Sequence, residues 1–182
     1  PWQFRMMRAT NSIADYILTN SHSMMNECQR IEGIEKHKIR LINNSVDIDR
    51  FSRPCRNTAQ KVFNIQGAWP LIGVVANWRP VKGIQSFLRA ASLVSQKIPT
   101  SRFILVGHGS QERELRALTD NLGLHEHVEF LDNDTDIPVL LAALDIAVQP
   151  SLSESFSNVL IEYMAAGKPV VATRVGDAER VI

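Results

Sequence analysis

The stretch PSLSESFSNVLIEYMAAGKPVVATRVG, residues 150–176, decides the fold that we predict for this chain. Residues 145–149 before it form a short apolar run that predicts a strand. Residues 158–166 show the apolar spacing of a helix, with Val159, Leu160, Tyr163 and Met164 on its apolar face, and Gly167 is a typical helix stop. Residues 169–173 form a second apolar run. The stretch therefore predicts a strand, a loop of small polar residues, a helix and another strand.

The loop between the first strand and the helix is a candidate binding site. A helix that begins beyond the carboxyl end of a parallel strand presents free N–H groups and partial positive charge, which suit a phosphate or diphosphate. Glu162 lies about one turn inside the helix, where a carboxylate accepts two hydrogen bonds from a ribose diol. Glu154, in the loop, is placed to receive hydroxyls attached beyond the phosphates. The alternative is that both glutamates are solvated surface residues.

The chain upstream alternates apolar runs with helical patterns, which predicts βαβ units and a doubly wound parallel sheet of the Rossmann-like type. The apolar runs are typical of buried parallel strands. They cover residues 71–76, 103–106, 128–131, 146–148 and 170–172. The helical patterns between them are carried by Ile84, Phe87, Leu88 and Ala91, by Leu115, Leu118 and Leu122, and by residues 139–144. Residues 53–70, before the first run, are polar and irregular, which predicts a linker. Ligands of such sheets bind beyond the carboxyl ends of the strands.

Two loops at those carboxyl ends carry further candidates. Arg79 and Lys82 follow the first strand of the alternation, where two cations could neutralise a diphosphate. Gly107 follows the next strand in a Gly-x-Gly turn that lets backbone approach a ligand, although the third glycine of a dinucleotide fingerprint is missing. The alternative for both cations is a solvated loop charge. His108, between the two glycines, is left without a role.

The composition is that of an ordinary soluble globular chain. It has 182 residues, 45% of them hydrophobic and 21% charged, and its formal charge of +1 gives no global attraction to nucleic acid or an anionic membrane. Cys28 and Cys55 show neither pair nor metal spacing, which favours the reducing cytosol. Because no stretch approaches the roughly 20 apolar residues of a membrane helix, a cytoplasmic location is expected. If the chain is part of a longer protein, that protein could also associate peripherally with the inner face of the membrane.

The spacing of Glu154 and Glu162, together with the segment AAGKPVVATRVG, resembles the Glu-x7-Glu region of the retaining glycosyltransferases of family four, which have the GT-B fold. The resemblance implies that a sugar is transferred from a nucleotide diphosphate donor to an acceptor with retention at the anomeric carbon. It also covers Lys82 and Gly83, which match the end of the family's Arg-x4-Lys-Gly loop. Asn77 stands at the family's Arg position, so that Arg79 is carried as a substitute.

The resemblance implies a role for each candidate. Lys82, Arg79 and Glu154 would be catalytic, since the cations stabilise the leaving diphosphate and the glutamate orients the donor sugar. Donor-binding residues would be Gly107, Phe156, Ser157, Asn158, Val159 and Glu162. No metal and no cofactor besides the donor are implied. A sugar-nucleotide epimerase of the same fold is disfavoured by the glutamate pair and its flanks.

The Asp-rich loop of residues 132–136 has a competing interpretation. It fails as a calcium loop, because Ile137 stands where glycine is required and Ala143 where a bidentate glutamate is required. As the Asp-x-Asp motif of the other large glycosyltransferase fold, GT-A, it would imply manganese or magnesium. The residues around it favour GT-B, in which Asp136 merely begins the next helix.

The first fifty residues predict a different element set: a helix over residues 2–12, a strand over 14–19, a helix from Ser21 to residue 31 and a strand over 39–42. In the resembled family such a segment closes an acceptor domain. We therefore predict the tail of that domain with the crossing in residues 1–52, and an incomplete nucleotide-sugar-binding domain in residues 53–182.

The expected chain is thus the C-terminal half of a GT-B fold, truncated at both ends, and inactive alone. Its Val-Gly-Gly-x-x-Glu element is altered, with Asp177 in place of the second glycine. The alternative is a donor-nucleotide-binding module that needs a separate acceptor-domain partner. Expected partners are the nucleotide-sugar donor and a sugar, lipid-linked or other glycan acceptor, not nucleic acid. An apolar face on residues 2–42 would favour self-association.

Overall fold

The computed structural model describes residues 2–65, 67 and 69–182. The helices are α1 (Trp2–Ile13), α2 (His22–Glu27), α3 (Ile48–Ser52), α4 (Arg56–Val62), α5 (Ile84–Lys97), α6 (Glu112–Asn121), α7 (Ile137–Ala143), α8 (Asn158–Ala165) and α9 (Ala178–Val181). The strands are β1 (Ile17–Thr19), β2 (Ile39–Leu41), β3 (Leu71–Val75), β4 (Arg102–Val106), β5 (Val128–Leu131), β6 (Ile146–Gln149) and β7 (Val170–Ala172). A π-helical turn spans Cys28–Glu32, and 3₁₀ turns span Lys36–Lys38 and Pro80–Lys82.

The chain forms two compact units, each built from separate stretches of sequence. Unit 1 holds residues 1–45, 153–158 and 174–182, and unit 2 holds residues 46–152 and 159–173. The predicted domain division is a single boundary after residue 52, which is a different kind of division from these two units, and it stays a prediction.

Unit 1 contains a two-stranded parallel sheet of β1 and β2. Its small core consists of Cys28, Ile34 and Ile39, against which Ile17, Met24 and Met25 pack. Ser21 caps α2 as predicted, because its hydroxyl oxygen accepts a hydrogen bond from the Met24 N–H at 3.0 Å. The strand predicted over residues 14–19 begins only at residue 17, since β1 pairs with just three residues of β2.

Unit 2 contains a five-stranded, wholly parallel sheet with the order β5-β4-β3-β6-β7. The predicted doubly wound α/β fold is confirmed. All five strands fall on the apolar runs found in the sequence. Chain connections from β3 lead outward through β4 to β5, and the chain then returns to β6 on the other side of β3. This order places the reversal of winding between β3 and β6.

One hydrophobic core of unit 2 lies between a face of the sheet and helices α5 and α6. The four residues predicted to form the buried face of α5, Ile84, Phe87, Leu88 and Ala91, are all buried. They pack with strand residues such as Val74 and Leu105 and with Leu115 of α6. Burial of each large aliphatic side chain stabilises the fold by about 1.5–3 kcal/mol. The apolar spacing of 3.6 residues in the sequence therefore marks the helix faces that contribute this energy.

Two local predictions in unit 2 are wrong. Residues 53–70 were expected to be irregular, but residues 56–62 form α4, which packs on α7. Ala59 is fully buried in α4, and one small buried residue gives too weak a periodic signal to predict a helix. Met164 was expected on the buried face of α8, yet it is exposed, because only Leu160 and Tyr163 face inward.

Tyr163 occupies the point where β3 and β6 diverge. The two strands pair only at Ile72 with Ile146 and at Gly73 with Ala147. Beyond these pairs, the Tyr163 hydroxyl accepts a hydrogen bond from the Val75 N–H at 2.9 Å and donates to the Val148 carbonyl at 3.4 Å. Burial raises the pKa of Tyr163, so the phenol stays protonated and able to donate. One hydroxyl thus replaces a strand-to-strand hydrogen bond.

We expect Tyr163→Phe to lower the free energy of unfolding by about 1–3 kcal/mol, because it leaves the Val75 N–H without its partner in the protein interior. Thermal unfolding should show a fall of about 2–4 °C per kcal/mol for a chain of this size. Tyr16→Phe is the matched control, since Tyr16 is 60% exposed and its loss of a hydroxyl should change stability by less than about 0.5 kcal/mol. Equal melting temperatures for the two variants would contradict the bridging role.

Candidate functional site

The topology of unit 2 defines where a ligand would bind. In open α/β sheets, ligands occupy the crevice outside the carboxyl ends of the strands, at the point where the winding reverses. Here that point lies between β3 and β6, and the loops that leave their carboxyl ends are residues 76–83 and residues 150–152. Both loops belong to unit 2.

Backbone hydrogen bonds join the loops around this crevice. The Leu152 N–H donates to the Val81 carbonyl at 2.7 Å, which ties the loop after β6 to the loop after β3. On the other side, the Trp78 N–H donates to the His108 carbonyl at 2.7 Å. The Gln111 N–H donates to the Trp78 carbonyl at 3.1 Å. The loops after β3, β4 and β6 therefore form one connected rim.

The two predicted cations both lie on the loop after β3. Arg79 is exposed and precedes the 3₁₀ turn Pro80–Lys82, which ends in the half-buried Lys82. The Lys82 N–H donates to the Arg79 carbonyl at 2.9 Å, so the two residues share one turn. Asn77, at the position of the family's arginine, is exposed. The structure thus brings Lys82 and Arg79 together on the rim of the crevice.

Gly107 is held against the chain's own backbone. Its φ is +140°, and a Cβ at this position would lie 2.0 Å from the Ala76 carbonyl oxygen. The glycine is therefore required by the close approach of the loop after β4 to the end of β3. The adjacent His108 side chain contacts the Asn133 side chain in the loop after β5.

Two carboxylates of the Asp-rich loop after β5 accept hydrogen bonds from backbone N–H groups. Asp136 caps α7, as predicted, because its carboxylate accepts a hydrogen bond from the Val139 N–H at 3.3 Å. The Asp132 carboxylate accepts from the Asp134 N–H at 3.2 Å. Among the residues that the structure describes, no group of three or more His, Cys, Asp or Glu side chains is arranged to hold a metal ion.

Glu162 lies in the second turn of α8, as predicted. Its side chain is half-buried, and burial raises the pKa of its carboxyl group, while the positive charge of Arg50 partly offsets that rise. A carboxylate that loses hydration without a full ion-pair partner retains its capacity to accept hydrogen bonds. Such a group suits a neutral ligand with paired hydroxyls better than an anion.

Residues 153–158 form the loop of unit 1 that carries the remaining candidates. Glu154 and Phe156 are half-buried, Ser157 is buried, and Asn158 is exposed as the first residue of α8. The first N–H groups of any α-helix lack partners within the helix, and α8 begins at Asn158 as predicted, whereas anion binding at its N-terminus stays a prediction. The Asn158 side chain accepts a hydrogen bond from the Asn44 amide.

Sequence reasoning missed three residues in or near these loops. Asp177 accepts two hydrogen bonds from α2, and only its replacement of a family glycine gave a signal. Tyr163 was read as a core residue, since a bridging hydroxyl leaves no pattern in the sequence. Gln149, at the end of β6, is buried, and both polar atoms of its amide lack partners among the described residues.

The doubly wound sheet with its crevice between β3 and β6 defines a Rossmann-like domain. The family described as Glycosyl transferases group 1 matches residues 69–182, and the chain belongs to this family. Its fold is that of GT-B glycosyltransferases, as predicted. No helix within residues 2–65 and 69–182 is both long and apolar enough to cross a membrane.

Two curated relatives illustrate the match. The chain is 29% identical over 169 residues to N-acetyl-alpha-D-glucosaminyl L-malate synthase of Bacillus anthracis, which covers 93% of this chain and 44% of that protein. It is 33% identical over 174 residues to D-inositol 3-phosphate glycosyltransferase 2 of Catenulispora acidiphila, covering 90% of this chain and 41% of that protein. The chain thus spans less than half the length of these relatives.

Solved structures agree on the fold. Anabaena HepE in complex with UDP-glucose superposes with a TM-score of 0.86 at 27% identity, over 98% of this chain and 51% of HepE. The C-terminal domain of the Francisella tularensis group 1 protein LpcC superposes with a TM-score of 0.67 at 28% identity, over 76% of this chain and 75% of that domain.

Proposed function

We propose that this chain carries the donor-binding half of a glycosyltransferase that transfers a sugar from a nucleotide diphosphate-sugar to an acceptor with retention. The observation that carries the proposal is the crevice between β3 and β6, which has Lys82 on its rim, in a chain of the Glycosyl transferases group 1 family. The chain spans about half of its relatives' length. Transfer itself is therefore proposed for a protein that also contains an acceptor domain.

Five residues of unit 2 have proposed roles in donor binding. Breaking the bond between sugar and diphosphate leaves negative charge on the diphosphate, which Lys82 and Arg79 would stabilise. Glu162 would accept the two ribose hydroxyls, consistent with its half-buried, incompletely paired carboxylate. Gly107 would contribute backbone at the crevice and Val159 an N–H group of α8.

The loop of unit 1 has proposed roles toward the sugar and the phosphates. Glu154 would orient the donor sugar through its hydroxyls. The backbone N–H groups of Phe156, Ser157 and Asn158 would bind the diphosphate at the start of α8. Fixed N–H groups of this kind stabilise charge that develops in a transition state without reorganising.

We propose a uridine nucleotide as the donor. Support comes from HepE, which has been solved with UDP and with UDP-glucose and whose sequence is 26–27% identical to this chain. We further propose that no metal or cofactor takes part, because the lysine and arginine on the rim of the crevice and the N-terminus of α8 would supply the positive charge that the diphosphate needs.

A second candidate function is a donor-nucleotide-binding module that works with a separate acceptor-domain partner. Exposed apolar side chains in unit 1 favour it, since Ile13 is 83% exposed and Leu18 is 65% exposed. In either case the proposed acceptor is a sugar, a lipid-linked sugar or another glycan. Both candidates require the same donor site, so binding of a nucleotide is the first property to test.

A thermal-shift screen of the 182-residue chain against UDP, GDP, ADP, CMP and UDP-glucose, with and without magnesium, tests the proposal. UDP at about 100 times its dissociation constant should add about 2.7 kcal/mol of stability. This stabilisation corresponds to a rise of roughly 5–10 °C in a chain of this size. The same rise with and without magnesium is expected.

Lys82→Ala is the test variant for the screen, and Lys97→Ala, at the far end of α5, is its matched control. The first should lose most of the shift, while the second should keep it. A folded wild-type chain that responds to none of the nucleotides would overturn the proposed function. A shift that appears only with magnesium would overturn the metal-free proposal alone.

A further inference from the structure

Asp177 links two parts of unit 1 that lie 155 residues apart in sequence. It is 5% exposed, and its carboxylate accepts a hydrogen bond from the His22 N–H at 2.6 Å and another from the Ser23 N–H at 2.8 Å. Both donors belong to the first turn of α2. N–H groups in the first turn of a helix have no partner within the helix, and an anionic acceptor is the stronger one for them.

The backbone of the same segment contacts the loop that carries Glu154. The Asp177 N–H donates to the Ser155 carbonyl at 3.0 Å. At Gly176, whose φ is +55°, a Cβ would lie 2.2 Å from the Glu154 carbonyl oxygen and 2.6 Å from the Ser155 carbonyl oxygen. Residues 176 and 177 therefore pack backbone to backbone against residues 154 and 155, with no space for a side chain between them.

These two sets of contacts make a continuous connection from α2 to the Glu154 loop. The carboxylate fixes Asp177 to the helix, and the Asp177 backbone fixes the Ser155 carbonyl. Asn158, at the other end of the loop, contacts Asn44. The loop is thus held at both ends by unit 1, and Asp177 is the side chain that anchors the end next to Glu154.

We propose that Asp177 is a positioning residue that sets the placement of Glu154 toward the donor sugar. The inference rests on the proposed role of Glu154 and adds a residue that touches no substrate. Since Asp177 acts on the loop and not on the nucleotide, its loss should change recognition of the sugar and leave the affinity for the nucleotide itself nearly unchanged. A residue with a merely structural role would leave the ratio of the UDP affinity to the UDP-glucose affinity unchanged.

Titration calorimetry with UDP and with UDP-glucose tests this separation. We expect Asp177→Gly, which introduces the glycine of the family's element, to change the Kd for UDP by less than about twofold. The ratio of the UDP Kd to the UDP-glucose Kd should fall by about tenfold, as expected for a group misplaced by a fraction of an ångström to an ångström. Asp177→Asn keeps one acceptor oxygen and should give an intermediate ratio.

Two control variants separate positioning from general loss of stability. Ser21→Ala removes the other cap of α2 and should lower the melting temperature while leaving the ratio unchanged. Glu179→Gln removes a neighbouring carboxylate that is 65% exposed and should change neither property.

The outcomes distinguish the two proposals. If wild type binds neither UDP nor UDP-glucose, the proposed uridine donor is wrong and this inference goes with it. Binding by wild type with an unchanged ratio in Asp177→Gly overturns the positioning role alone, as does an equal fall of the ratio in Ser21→Ala. Should Asp177→Gly not fold, the ratio in Asp177→Asn decides, and a wild-type value there overturns the role.

Discussion

Replacing Glu162 with glutamine should have opposite effects on stability and on ligand binding. Without ligand at neutral pH, the variant should be more stable than wild type, because burial raises the pKa of Glu162 and makes its ionised form unfavourable in the folded chain. With UDP, the variant should bind about 10- to 100-fold more weakly, since a hydrogen bond to a charged acceptor contributes about 1.5–3 kcal/mol. Glu162→Ala should lose the UDP-induced thermal shift altogether.

The pH dependence of that stability difference follows from the sign of the shift. The folded-state pKa of Glu162 lies above its unfolded value of about 4.3. The stability that this carboxyl group contributes to the folded chain is therefore fully present below about pH 4.3, and it is lost as the pH rises through the folded pKa. Glutamine does not titrate, so its advantage over wild type should be present at pH 7.5 and vanish near pH 4.

Urea unfolding at the two pH values measures the difference, and calorimetry with UDP measures the affinity. Glu126→Gln is the control, because the Glu126 side chain is 78% exposed and has no proposed contact with a nucleotide. That variant should match wild type in both assays. Unchanged UDP affinity in Glu162→Gln would exclude a direct contact between Glu162 and the nucleotide, whatever its effect on stability.

The parts of the fold that the sequence predicted are those that repeat a pattern. The central strand β3 and residues 103–106 of β4 are continuous apolar runs because both of their faces are covered, and α5 repeats its buried residues at helical spacing. By contrast, α4 was missed because its packing on α7 buries only Ala59 completely. Short helices with one small buried residue carry almost no periodic signal.

The positions of candidate site residues could be predicted from the sequence only where they follow from the neighbouring strand, loop and helix. Glu162 falls in the second turn of α8, and Lys82 ends a turn beside the crevice, because both positions follow from the strand–loop–helix pattern. Contacts between distant segments could not be predicted. The hydrogen bonds from α2 to Asp177 join residues 155 positions apart, and no spacing rule connects them. Likewise, the close approach of Gly107 to the Ala76 carbonyl could not be predicted from the sequence, and its contact with a ligand stays a prediction.

Gly83→Ala should be a strongly destabilising methyl addition at the crevice. Gly83 has a φ of +64°, and a Cβ there would lie 1.9 Å from the Pro150 carbonyl oxygen. The left-handed conformation alone costs about 1–2 kcal/mol for a residue with a Cβ. The clash adds about 1–3 kcal/mol, because it meets backbone that cannot rotate away. The free energy of unfolding should therefore fall by about 2–5 kcal/mol.

The methyl group should also disturb ligand binding, since it forces apart two of the loops that form the rim. These loops are joined by the hydrogen bond from the Leu152 N–H to the Val81 carbonyl, next to Lys82. Gly123→Ala isolates the conformational effect: Gly123 has a φ of +68°, and a Cβ there would meet nothing within 4 Å. The control should lose only about 1–2 kcal/mol and keep the UDP-induced shift. If the two alanine variants unfold at the same urea concentration and respond equally to UDP, the close packing of residue 83 on the loop after β6 does not contribute to the site.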